Sequence, residues 1–155
     1  MWWSENDISL LFYSNLKPIL DLFPDFGLYS QWEVLFKGDK KAKFVDLAIV
    51  EKQEGTKQIL GYPRFLFEIK YPTRPTRYKT IMEDIQKDFN RLKRLCTEGC
   101  EDIKKEDVIF KGVRIEPKQA YFIFVTDLFD SSLPDPMFSD PHVQVFVSYP
   151  KKEKV

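Results

Sequence analysis

The sequence predicts an α/β domain, a sheet flanked by helices, and three observations carry that expectation. Two apolar runs of strand length, residues 44–50 and 65–71, are separated by a polar turn region. A third run, residues 120–125 (Ala-Tyr-Phe-Ile-Phe-Val), is apolar on both alternating faces, as expected of a central strand buried on both sides. Two further stretches, 7–23 and 78–96, repeat their apolar residues at helical spacing instead. With 155 residues, 43% hydrophobic and 15% aromatic, the chain is long enough to bury a real core. One domain over residues 1–150 is expected, with 151–155 as a frayed tail.

The first helix is predicted over 7–23 from Leu10, Leu11, Tyr13, Leu16, Ile19, Leu20 and Phe23, with Ser4 or Asn6 as its cap. Pro18 is expected to kink or split it. After the break at Pro24-Asp25-Phe26-Gly27, a strand over 29–36 is expected to put Trp32, Val34 and Phe36 on one face. Gln31, Glu33 and Leu35 fall on the other face. A lysine-rich turn over 37–41 leads into the run 44–50, and a second polar turn over 51–58 leads out of it. Pro63 marks an edge or a start of the next strand. Beyond it, the loop 71–77 is stiffened by Pro72 and Pro75. The second helix, 78–96, has a clear apolar stripe of Ile81, Ile85, Phe89, Leu92 and Leu95. Residues 97–118 read as an excursion, 119–126 as the central strand, 129–141 with its three prolines as loop, and 142–149 as the last strand.

Charges inside the two central runs require a reason, because an ionised group buried without partners is very costly. Glu68 and Lys70 point to the same side of their strand, and Asp46 is the only charge in residues 44–50. A hairpin pairing of the two runs would gather all three. Two carboxylates in an apolar setting suit a hard cation such as Mg²⁺, which needs only one or two of them when water and phosphate supply the rest. Asp46 and Glu68 are the expected ligands, with the main-chain carbonyl of Ile69 between them. Glu33 approaches them if the strands form a meander, as a further ligand or as a solvent-facing residue near a sheet edge. Lys70 would position or help deprotonate the attacking water, or offset charge on a phosphate.

Asp46 followed 22 residues later by Glu68-Ile69-Lys70 at the end of an apolar strand resembles the PD-(D/E)XK nuclease superfamily. The likeness covers residues 5–127, although its specific part is Asp46 and Glu68-x-Lys70. Val45 stands where the superfamily commonly has proline. The resemblance implies a restriction-endonuclease-like αβββαβ core with a mixed central sheet. It further implies an endo- or exonuclease that hydrolyses phosphodiester bonds with Mg²⁺ or Mn²⁺, acting on nucleic acid, with DNA as the first expectation. Members often carry an acid on the first helix, for which Glu5 is the candidate beside a capping or solvated role. They also place Lys, Gln or Arg on the second helix near the site or the substrate phosphates, for which Gln86, Lys87 and Arg91 are available. Many dimerise, so a homodimer or larger complex belongs to the same expectation.

Two other readings of these residues stay open. One is a nuclease-like domain that binds or regulates without cutting. The other is an ordinary α/β domain in which Glu68 and Lys70 pair with each other.

Lys+Arg and Asp+Glu balance at 24 each, so no global basic field draws the chain to nucleic acid. Between Tyr62 and Leu95, however, nine basic residues face four acids, a local net charge of +5. Arg74 and Arg77, in the loop just beyond Lys70, are the preferred phosphate contacts. The Met1-Trp2-Trp3 start lacks the basic region of a signal peptide, and no apolar run reaches the roughly 18–20 residues of a spanning helix. A cytoplasmic protein without membrane association is expected. Cys96 and Cys100 lack a partner pair for zinc, so free structural thiols are expected. His142, the lone histidine, is expected to be structural. Neither a nucleophile triad nor a glycine-rich phosphate loop is present in the sequence.

Overall fold

The computed structural model of the protein describes residues 4–34, 36, 39–52, 61–71, 78–99, 117, 119–125 and 140–148. Helix α1 (Glu5–Leu20) opens on a capping box. The Ser4 hydroxyl accepts from the Asp7 N–H, and the Asp7 carboxylate accepts from the Ser4 N–H. Pro18 does not split the helix, because it sits in the last turn, where only two more helical residues follow.

Strands β1 (Phe26–Val34), β2 (Lys43–Lys52) and β3 (Gly61–Lys70) then run as an antiparallel meander. Helix α2 (Tyr78–Glu98) carries the chain to β4 (Gln119–Val125), which pairs parallel with β3. Strand β5 (Val143–Ser148) pairs parallel with β4 and completes a five-stranded mixed sheet in the order β1-β2-β3-β4-β5. The fold is therefore α/β, with a mixed sheet and two helices. Pro63 lies buried inside β3 rather than at its start. It faces Val50 where the β2–β3 register shifts, and such an irregularity tolerates a residue with no N–H to give the ladder.

Each face of the sheet has its own core. Helix α2 lays Ile85, Phe89, Leu92 and Leu95 against Val45, Ala48 and Val50 of β2, Leu66 of β3, and Phe122 and Phe124 of β4. Phe89 meets Phe122 edge to face, with ring centroids 5.9 Å apart. On the opposite face, Ile8, Phe12, Leu16 and Leu20 of α1 cover Leu28, Leu47, Ile69 and Ile123. Among the described residues no helix is long and apolar enough to cross a membrane.

One residue breaks the simple alternation of β1. Gln31 has φ 51°, in the left-handed region that costs a non-glycine residue conformational energy. Tyr29 and Trp32, an odd and an even position, consequently both pack on the α2-side core. Val45 and Ala48 of the paired strand do the same, on either side of Asp46. We expect Gln31→Val to destabilise the fold by about 1–2 kcal/mol, because a β-branched residue resists this conformation, whereas Gln31→Gly is neutral or better. Urea denaturation measures both, and equal stability of the two variants would refute the kink.

Candidate functional site

The C-terminal end of β3 is where the fold gathers its charges. Glu68 and Lys70 lie two apart on this strand, and Lys70 Nζ is 3.1 Å from Glu68 Oε1. Helix α2 crosses the same face and adds Asp88 and Arg91, one turn apart. Arg91 donates to Glu68 Oε1 at 2.7 Å and lies 3.2 Å from Asp88 Oδ1. Asp88 Oδ2 is 2.9 Å from Lys70 Nζ. From the start of α1, Glu5 Oε1 reaches the same ammonium at 3.4 Å, and its other oxygen accepts from the Tyr71 N–H at 3.4 Å.

Asp46 is tied in through the backbone. Its Oδ2 accepts from the N–H of Ile69, the residue after Glu68, at 2.7 Å. The β2–β3 pairing runs only as far as Leu47 and Phe67, so the Asp46 side chain takes over where main-chain pairing stops. Its Oδ1 accepts from Gln31 Nε2 at 3.4 Å. The β2–β3 hairpin thus sets Asp46 against the main chain between Glu68 and Lys70, near enough to Glu68 to raise its pKa.

Burial sets the electrostatics. Glu68 is 3% exposed. Its removal from water, and then the like charge of Asp46, push its pKa up to about 7 against the pull of Lys70 and Arg91. Burial alone would lower the pKa of Lys70, but Glu68, Asp88 and Glu5 outweigh it and hold the ammonium above the ordinary lysine range. The two shifts differ in kind because Glu68 is almost fully enclosed, whereas three carboxylates contact Lys70. Four carboxylates against two cations leave the group a formal excess of two negative charges. Among the described residues, Glu68 Oε2 is buried with no hydrogen-bond partner, as is Arg91 Nε.

The other expected site residues are distributed differently. Glu33 lies opposite Phe44, and among the described residues no hydrogen bond or ion pair joins it to this group. The left-handed turn of the chain at Gln31 displaces the expected alternation, and Gln31 is the β1 residue that reaches Asp46. Gln86 donates to Asn90, and exposed Lys87 pairs with Asp84, so of the three α2 candidates only Arg91 enters the site. Arg74 and Arg77 lie outside the described residues. Asp88 and Gln31 are the residues that sequence reasoning missed. Asp88 had a visible signal, since it borders the apolar stripe beside Phe89, three residues after Ile85 and four before Leu92.

The basic surplus of residues 62–95 is drawn down by acids from elsewhere. Arg64 pairs with Glu51, Lys93 with Asp140 at 3.1 Å, and Arg94 with Glu98 at 2.6 Å. His142 is exposed and bound to Asp140 through its N–H and ring. Cys96 is a buried free thiol whose pKa burial pushes up to about 11, while Cys100 lies outside the described residues.

An α/β fold with a buried acid–base group at the end of its third strand is thus the class of protein that these observations define. No family model matches the chain, and neither curated proteins nor solved structures give a match.

Proposed function

We propose that the protein is a metal-dependent nuclease hydrolysing phosphodiester bonds of nucleic acid, DNA in the first instance, on a restriction-endonuclease-like αβββαβ core. The observation that carries this reading is the buried Glu68 carboxylate, paired through Oε1 and, among the described residues, left with Oε2 unpartnered. A buried acceptor without a partner costs about 1–3 kcal/mol, more when charged, and a divalent cation would supply that partner while offsetting the excess of two negative charges. Asp46 and Glu68 would supply carboxylate oxygens to Mg²⁺ or Mn²⁺, and the Ile69 carbonyl would be the third protein ligand. Such a cation, when bound, makes hydroxide available near neutral pH and offsets charge on the phosphodiester.

The chain's own groups do the rest. Lys70, kept charged by its neighbours, donates to the attacking water or a phosphate oxygen and does not serve as a base. Arg91 offers a second fixed cation for the phosphate. Asp46 holds the main chain of Ile69 in place, and Glu5 anchors the amine from α1.

A second reading, a nuclease-like domain that binds without cutting, is favoured by one observation. Among the described residues no three Asp, Glu, His or Cys side chains are disposed to hold a metal together. Incubating the purified protein with plasmid and single-stranded DNA in Mg²⁺, Mn²⁺ or EDTA separates the two. Cutting with either metal and none in EDTA is the expected result. Retention of DNA without cutting in either metal would point to binding, and no cutting together with no metal-raised melting temperature would remove the metal site altogether.

A further inference from the structure

Asp88 has only a passive place in that reading, yet it closes the group of charges. Lys70 and Arg91 each touch both Glu68 Oε1 and one oxygen of Asp88. The four side chains form a closed ring of alternating charge between β3 and α2. The two carboxylates differ in one respect. Asp88 commits one oxygen to each cation, whereas Glu68 keeps a buried oxygen, Oε2, with no partner among the described residues. Glu5 also reaches Lys70, at 3.4 Å, but no described contact joins it to Arg91, so it does not duplicate Asp88 at the guanidinium.

We infer that Asp88 is a positioning residue that shares Lys70 and Arg91 with Glu68, so that a divalent cation can engage Glu68 while both side chains keep a counter-ion. The inference rests on the metal reading above. Two positive charges within about 3 Å of one carboxylate oppose a further cation there, and Asp88 draws part of both away. Without its charge, Arg91 has Glu68 as its sole described carboxylate and competes with the metal for it. Without the Arg91 charge, that competition falls.

The test is Mn²⁺ affinity of the full chain, read from the electron paramagnetic resonance of free Mn²⁺, with circular dichroism as the folding control. Asp88→Asn is expected to weaken Mn²⁺ binding about tenfold and Arg91→Met to tighten it by a similar factor. The double variant should return close to the wild-type affinity, a rescue that a merely structural role for Asp88 would not produce. Asp88→Asn within about twofold of wild type, or a double variant no better than Asp88→Asn, overturns the role of Asp88 alone. Should Asp88→Asn fail to fold, the Arg91→Met arm still decides, since unchanged affinity there removes the competition. Failure of the wild-type chain to bind Mn²⁺ overturns the metal reading and this inference together.

Discussion

Asp46→Asn is expected to lower metal-dependent cutting by about a thousandfold, a loss typical of removing a preorganised electrostatic group from an active site. The substitution is chosen because it separates charge from architecture. An asparagine keeps an oxygen that can accept from the Ile69 N–H, so the link between β2 and β3 survives. What disappears is one of the two carboxylates proposed to hold the cation, and with it the affinity that places the attacking water. Asp46→Ala removes both roles and should in addition cost about 1–2 kcal/mol of stability through the unpaired N–H. Lys70→Ala should abolish cutting with the fold retained, since α2 keeps its apolar packing on the sheet. Single-turnover cleavage of plasmid, paired with thermal melts, measures all three. Near-normal cutting by Asp46→Asn would exclude Asp46 as a ligand.

The second large effect concerns pH. The Glu68 carboxyl rises from an ordinary 4.5 to about 7 in the folded protein, first through burial and then through Asp46. The native state therefore retains a proton that the unfolded chain releases. The resulting stabilisation is fully present below pH 4.5 and is lost as pH rises through about 7. At 1.36 kcal/mol per pKa unit the difference amounts to about 3 kcal/mol, undiminished by solvent because Glu68 is almost fully enclosed. Metal-free wild-type protein should lose this stability between pH 4.5 and about pH 7, and Glu68→Gln should not. Mg²⁺ should reverse the trend, because it binds the ionised carboxylate and thus raises the melting temperature more at the higher pH. Denaturant titrations across that range provide the measurement. Parallel curves for wild type and Glu68→Gln would show that Glu68 does not titrate there.

Much of this arrangement was legible in the residues. Strand-length apolar runs and a helical stripe located six of the seven elements to within about three residues, and alternation placed Glu68 and Lys70 on one side. The boundaries that moved did so for local reasons. Ser4, one of the two expected caps, starts α1 at Glu5, and Phe26 found a pairing partner in Glu51. Pro63 was absorbed into β3 at a register shift that no propensity announces.

Periodicity is a property of neighbours along the chain, which is why the sequence by itself determined the elements, their apolar faces and the three central charges. Convergence of Glu5, Asp88 and Arg91 on that centre is a different matter. Glu5 meets Lys70 across 65 residues and Arg91 meets Glu68 across 23. Such contacts depend on how α1 and α2 lie across the sheet, and that is decided by packing. The same holds for Gln31, whose left-handed backbone is tolerated because the paired strands around it hold it there. Tertiary structure alone therefore chose Gln31 over Glu33 as the neighbour of Asp46, and gave Lys70 and Arg91 a second carboxylate in Asp88.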